Sequence, residues 1–389
     1  MDRPRRFSAL VFAALIFTAL AFAPYGHAGL GDAIKKKVTD ATKKATEKTE
    51  KAADETSEKK PAESSTGDKA SADGGGSISS VSTKFDFVPG DSVLFMDDFT
   101  QDELGEFPAR WKLQSGTFEV AELDGERWLR CVSNDGHIRM KVPPSLPEFW
   151  TLEFDGNHLD AAGNTMTVSA LNVGGSTVWE AIFPYSGRNL FFRSGEITSD
   201  TPFESGTPAG RHHFMFMARG TALKVYMDRD RMANVPDVTA NGVPVELEIR
   251  LWSTQKPMIA NVRFAEGCRP PKDMLAEGKL VTYGIRFATG SDAVLPESAP
   301  VLRQIAAYME ANPAVKLLIT GHTDNVGQAA SNLDLSQRRA ASVAKVLSGD
   351  FHVAADRLTT DGKGDTVPVS SNAKPEGRAM NRRVEFAKQ

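Results

Sequence analysis

Asp324 and Arg339 stand fifteen residues apart, inside Gly321-His322-Thr323-Asp324-Asn325-Val326-Gly327 and Asn332-Leu333-Asp334-Leu335-Ser336-Gln337-Arg338-Arg339-Ala340, and the chain closes on Asn381-Arg382-Arg383-Val384. An aspartate accepts hydrogen bonds from an ammonium group. An arginine offers two parallel N–H donors to a carboxylate, a geometry that lysine does not reproduce. Held at the mouth of one pocket, such residues would grip the two poles of a zwitterion. The competing expectation is a structural ion pair between Asp324 and Arg339, of the kind that contributes little at a surface.

The flanking pattern predicts the elements that would hold them. Val315, Leu317 and Ile319 alternate as in a strand that ends just before the Asp324 loop. A helix opening near Asn332, with Leu335, Val343, Val346 and Leu347 as its apolar stripe, puts Arg339 on its first turns, and its free N–H groups would favour an anion. Upstream, Leu280, Thr282, Gly284 and Arg286 alternate with Val281, Tyr283, Ile285 and Phe287, predicting a strand with one apolar face. Val301, Leu302, Ile305, Ala306 and Met309 predict a helix stopped by Asn312-Pro313, and residues 357–360 and 383–386 read as short strands. Strands alternating with helices of this length point to an α/β unit with helices packed on a mixed sheet.

The order T-D-x-x-G, N-x-x-L-S-x-x-R-A, N-R-R-V closely resembles the signature of the OmpA-like peptidoglycan-binding domain, and the resemblance covers residues 279–389. It implies non-covalent binding of the diaminopimelate residue of peptidoglycan, without a cofactor. Asp324 and Arg339 would be the two principal contacts, and Asn332, Arg382, Thr323 and Asn325 supporting ones. One departure is Phe287-Ala288-Thr289-Gly290-Ser291 after the first strand, where only backbone or Thr289 is expected to reach the ligand. His322 is expected to be a hydrogen-bonded structural residue.

At the other end, Arg3, Arg5 and Arg6 precede an apolar run over residues 7–23 and the small-residue exit Gly26-His27-Ala28, the layout of a signal peptide cut after Ala28. An uncleaved anchor is the alternative, and the run is short for a span. Three arginines and one aspartate leave with residues 1–28, taking the formal net charge from −4 to −6. A mildly acidic chain gives no sign of nucleic-acid binding. No further stretch approaches spanning length, so no transmembrane segment is expected in the mature chain. Residues 29–91 form a polar tether: positions 29–75 hold ten basic and ten acidic side chains, too few apolar ones for a core, and Leu30, Ile34 and Val38 at helical spacing.

Residues 92–266 consist of short β-rich runs joined by Gly, Asn, Asp and Pro, which predicts an all-β two-sheet sandwich and loosely resembles concanavalin-like and laminin-G-like jelly rolls. Glu153 and Asp155 would share one face of a strand. They could be the carboxylates of a glycosidase, but the third acidic residue that some jelly-roll glycosidases carry is replaced by His158, and the pair is expected to be solvated surface. Trp111, Trp128, Trp150, Trp179 and Trp252 could stack on sugars or fill the core. Cys131 and Cys268, 137 residues apart, could form one disulfide or stay free, and no Cys/His cluster has metal-ligand spacing. Residues 267–278, with Pro270-Pro271, read as a stiff linker between separate modules.

The chain thus reads as a multidomain, exported, non-enzymatic protein: an all-β jelly-roll sandwich followed by an α/β OmpA-like domain. It would reside in the periplasm of a diderm bacterium, associated with peptidoglycan or at the outer membrane, and present the sandwich to a glycan or an envelope protein. A wall-localised glycan-cleaving enzyme, and a wall-anchored component of a secretion, motility or adhesion machine, are the alternatives.

Overall fold

The computed structural model describes residues 77–140, 146–158, 165–185, 189–202, 210–252, 256–267, 269–288 and 290–389. The expected signal peptide, the tether as far as residue 76, Cys268 and Thr289 lie outside these residues.

Fifteen strands build the sandwich: β1 (Ser92–Asp97), β2 (Trp111–Ser115), β3 (Phe118–Leu123), β4 (Glu126–Cys131), β5 (Asp135–Met140), β6 (Phe149–His158), β7 (Thr165–Leu171) and β8 (Thr177–Tyr185). They continue with β9 (Asn189–Ser194), β10 (Ile197–Pro202), β11 (Gly210–Arg219), β12 (Ala222–Met227), β13 (Asp230–Val235), β14 (Glu246–Trp252) and β15 (Met258–Glu266). One sheet has the order β13-β12-β11-β6-β15-β4-β3, with β1 also paired to β15; the other runs β10-β9-β8-β7-β14-β5-β2. Period-two patterning explains the two layers. In β5, buried Gly136, Ile138 and Met140 alternate with half-buried Asp135, His137 and Arg139. Trp111, Trp150, Trp179, Phe154, Phe214 and Phe216 are among the inward side chains, and Trp179 lies nearly parallel to Trp150, with centroids 6.4 Å apart. Trp128 is buried on the outer face under Arg211, and only Trp252 of the five tryptophans is exposed.

Strand β11 departs from alternation, since Phe214, Met215, Phe216 and Met217 are all buried. A continuous apolar run belongs to a strand covered on both faces. Its outer cover comes from residues 77–91 and from the C-terminal domain: Phe85, Phe87 and Val88 join Met215, Met217 and Tyr226 in one apolar cluster with Ile285, Val301, Leu302 and Phe386. Tyr226 donates from Oη to Asp86 Oδ1 (2.7 Å), Lys224 pairs with the same carboxylate, and Arg303 Nη2 donates to Val81 O (2.7 Å). Residues 77–91, expected as the end of a tether, therefore pack as a strap across both domains.

The C-terminal domain comprises α1 (Pro271–Ala276), β16 (Lys279–Thr282), α2 (Ala299–Ala311), β17 (Leu317–Gly321), α3 (Ala329–Gly349), β18 (Leu358–Gly362), α4 (Pro375–Asn381) and β19 (Val384–Lys388). Its sheet has the order β16-β19-β17-β18, with β17 and β18 parallel and the other pairs antiparallel, the mixed sheet expected. Three expectations need correction. The first strand ends at Thr282 and buries Leu280 and Thr282, because a Cβ at Gly284 would stand 2.6 Å from Val301 Cγ2 and the chain leaves the sheet there. The linker is no spacer: α1 starts at Pro271, as a proline at the first helical position allows, and sinks Leu275 into the shared core. The two domains are not separate modules, since α4 also packs on β1, through Ala379 against Val93 and Met96, while Glu376 pairs with Arg110.

A core shared in this way predicts joint unfolding. Phe85→Ala should cost about 3–5 kcal/mol, lost in one urea transition seen alike by tryptophan fluorescence and far-UV circular dichroism. Two separated midpoints would show that the strap does not couple the domains.

Candidate functional site

Close backbone approach positions the C-terminal site. A Cβ at Gly321 would lie 2.3 Å from Ser336 O, and one at Gly362 2.4 Å from the Gln337 nitrogen, so the ends of parallel β17 and β18 admit α3 only because they lack side chains. Ser336 Oγ accepts from Gly364 N (2.9 Å) and donates to Leu333 O (2.8 Å). Arg339, three residues further along α3, is thereby carried to the edge of the strand ends.

The loop after β17 is held from both sides: His322 N donates to Arg383 O (3.0 Å) and Thr323 N to Gly364 O (2.9 Å). Thr323 Oγ1 (2.8 Å) and Asn332 Nδ2 (3.3 Å) both donate to the backbone oxygen of Asp324, so these buried residues set the aspartate's position. Asp324 Oδ1 accepts from Val326 N (3.1 Å), and Oδ2 accepts from Arg382 Nη1 (2.6 Å). The ion pair considered for Asp324 and Arg339 is thus made with Arg382 instead. A carboxylate offers about four lone-pair directions, which leaves room for a further donor. Asn325 is exposed on the loop. The helix opens at Ala329, one turn before the expected start. Asn332 N already donates to Gln328 O (2.9 Å), so Asn332 serves through its side chain. Buried Asn381 Oδ1 accepts from Val369 N and Ser370 N (2.8 and 3.1 Å), tying down the segment before Arg382.

A cavity of about 200 Å³ lies here, lined by Arg286, Phe287, His322, Arg339, Arg382 and Arg383 among others. Arg339 Nε donates to Ser291 O (3.0 Å) and its guanidinium lies 4.7 Å from the Phe287 ring centroid. Burial, then the charges of Arg382 and Arg338, pull Arg339 below the ordinary arginine value, while Asp292 and Asp324 oppose them. Arg383 is neutralised by Glu385 Oε1 (2.8 Å). His322 is buried with neither ring nitrogen hydrogen-bonded, unlike the side-chain hydrogen bonding expected of it, and burial, followed by the Arg383 charge, holds it down at about 4. It is therefore neutral at pH 7. Together these groups make a cationic pocket suited to a carboxylate; Asp324 is not among its lining residues and meets it only through Arg382. Arg286 and Phe287 were missed as lining residues because a strand through residue 287 would have put them in the sheet.

A second cluster lies on the outer face of the sandwich. Glu153 and Asp155, expected as solvated surface, are 5% and 7% exposed. Arg263 Nη1 donates to Glu153 Oε1 (2.8 Å), and Arg286 Nη1 lies 3.2 Å from Glu153 Oε2, crossing the domain boundary. Arg211 Nη2 (2.7 Å) and Asn261 Nδ2 (2.8 Å) donate to Asp155 Oδ2. His213 Nδ1 lies 2.7 Å from Asp155 Oδ1 and its Nε2 2.6 Å from Arg286 Nη1. Carboxylates only accept, so Nδ1–H donates to Asp155, and Nε2, which also lies 3.4 Å from Glu153 Oε2, donates there in the protonated ring. Burial and the Arg286 charge work against that form, but the hydrogen bonds to Asp155 and Glu153 outweigh them and raise His213 above its ordinary value. Burial pushes Glu153 up, but the His213 hydrogen bond and the charges of Arg263 and Arg286 outweigh it and hold the carboxyl at about 2; Asp155 is likewise held far below its usual range. Neither carboxyl supplies the proton that a glycosidase acid must carry near neutral pH. A cleft of about 990 Å³ opens over this cluster, between the two domains. Cys131 keeps a free, buried thiol that donates to Ser133 O (3.3 Å), with Cys268 outside the described residues. Among the described residues no helix is long and apolar enough to cross a membrane.

Comparison with known proteins falls on the same C-terminal stretch. The chain is 38% identical over 127 residues to outer membrane porin F of Pseudomonas aeruginosa, covering 32% of this chain and 35% of that protein. It is 39% identical over 118 residues to peptidoglycan-binding protein ArfA of Mycobacterium tuberculosis, covering 30% of this chain and 36% of that one. The matched stretch thus spans about a third of the length of these relatives. Among solved structures, the peptidoglycan-associated lipoprotein of Burkholderia pseudomallei is 29% identical, with 31% of this chain and 100% of that chain covered and a TM-score of 0.27. Residues 286–382 match the OmpA family, so the C-terminal part of the chain carries an OmpA family domain.

Proposed function

We propose that this chain binds the diaminopimelate residue of peptidoglycan through its C-terminal domain, reversibly and without a cofactor, and so anchors an exported envelope protein to the cell wall. The observation that carries the reading is one cavity with Arg339 and Arg382 in its lining, the second of which pairs with the Asp324 carboxylate next to it in the structure. The side-chain carboxylate of diaminopimelate would lie against Arg339, with Arg382 beside it, and the ammonium would take a free lone pair of Asp324. Thr323, Asn332 and Asn325 shape the loop that carries that carboxylate. The mycobacterial relative is a peptidoglycan-binding protein by name, which supports the same reading. The protein acts in the periplasm, against the wall or the outer membrane, and the sandwich serves recognition, not cleavage. The ionised, fully paired Glu153 and Asp155 favour that role over a glycan-cleaving enzyme.

Arg339→Ala and Asp324→Asn should each weaken retention on purified sacculi by roughly thirtyfold or more, the cost of leaving one partner of a desolvated charge pair unmatched. Circular dichroism should be unchanged in both. Wild-type retention by both variants would remove the site assignment. Walls whose stem peptides hold lysine in place of diaminopimelate lack the side-chain carboxylate and should retain the protein weakly in the same sedimentation assay. Equal retention on the two walls would take Arg339 out of its role.

A further inference from the structure

We propose that the cleft between the sandwich and the C-terminal domain is a saccharide subsite, taking the glycan of the same wall fragment whose stem peptide enters the arginine pocket. The proposal rests on the wall-binding reading and extends it to a second half of the ligand. Continuity is the first argument, because Arg286, Phe287 and Arg382 line both the pocket and the cleft. A ligand leaving the pocket past these side chains enters the cleft directly.

Charge is the second. The pocket's lining includes arginines and no carboxylate, whereas the cleft cluster sets three carboxylates, Glu126, Glu153 and Asp155, against three guanidiniums, Arg211, Arg263 and Arg286. A balanced network presents acceptors next to donors with no net charge. A hydroxyl is a donor and an acceptor at once, so adjacent groups of both kinds suit a neutral polyhydroxylated ligand better than an ion of either sign. Tyr283 and Phe287 add ring surface to the same wall.

The third argument is that the cluster is fixed beforehand and costly to hold. Burying ions takes them out of water at a penalty that apolar packing would avoid, and apolar packing is what joins the domains a few residues away at Met215, Met217 and Tyr226. Here, instead, charges are kept around unfilled space. The sheet itself is distorted to place them: β15 pairs with β4 through Met258 and Ile259, then bulges and pairs with β1 from Val262, and at the bulge Asn261 adopts φ 52° and donates to Asp155. Arg211 and Arg286 keep 45% and 36% of their side chains exposed toward a ligand. The cleft of about 990 Å³ is of the size that holds a ligand of this class. The diaminopimelate is the third stem residue from the sugar, and three extended residues reach about 10 Å, enough to leave the pocket.

Isothermal titration of the mature protein with two probes tests this: the free tripeptide L-Ala-γ-D-Glu-diaminopimelate, and the same tripeptide on its N-acetylglucosamine–N-acetylmuramic acid disaccharide. The disaccharide should tighten binding by about tenfold, the yield of one or two added hydrogen bonds. Arg211→Ala and Glu126→Gln, both outside the arginine pocket, should each reduce that gain to less than about twofold while leaving tripeptide affinity unchanged. Equal affinity for the two probes in the wild type, or a full sugar gain kept in both variants, overturns the subsite and leaves the anchor reading standing. Binding of the disaccharide-linked tripeptide, alongside no binding of the free tripeptide, supports the subsite and overturns the diaminopimelate pocket. Binding of neither probe overturns both.

Discussion

A guanidinium drawn half out of water must find an acceptor, and Arg286 finds one across a domain boundary. It reaches Glu153 and His213 on the sandwich while its own chain segment lines the cavity of the C-terminal domain. Breaking a buried pair by removing one partner is far more costly than never having made it, so this contact fixes the docking angle between sandwich and C-terminal domain once the apolar strap has brought them together. The pocket, the cleft and the shared core all follow from that docked arrangement.

The arginine-lined pocket is built by subtraction as much as by addition. Gly321 and Gly362 remove the side chains that would hold α3 away from the sheet. Thr323 and Asn332 then spend their hydrogen bonds on the Asp324 backbone, leaving its carboxylate to Val326 and Arg382. A neutral His322, kept uncharged by burial and by Arg383, contributes no competing charge.

Much of the C-terminal domain was legible in the sequence because its information is local. The strand before Asp324, the helix bearing Arg339 and the mixed sheet follow from periodicity, and three spaced blocks marked the candidate residues. What stayed hidden was contact across long separations. Nothing near Glu153 announces that its partner is Arg286, 133 residues away. The pairing of Asp324 with Arg382 stayed hidden for the same reason, since Arg382 arrives from the end of α4, 58 residues on. One local signal of the interface was present: the unbroken apolar run at Phe214, Met215, Phe216 and Met217 leaves a strand no solvent side. The early end of β16 was concealed because Gly284 fits an alternating pattern as well as it fits the tight approach to Val301.

The strap over residues 77–91 also decides how the molecule carries tension. Ile78 N donates to Asp350 Oδ2 (2.6 Å), at the end of the helix that bears Arg339. A pull applied at residue 77 therefore meets the C-terminal domain, at the end of α3, before it travels along the strap to the sandwich.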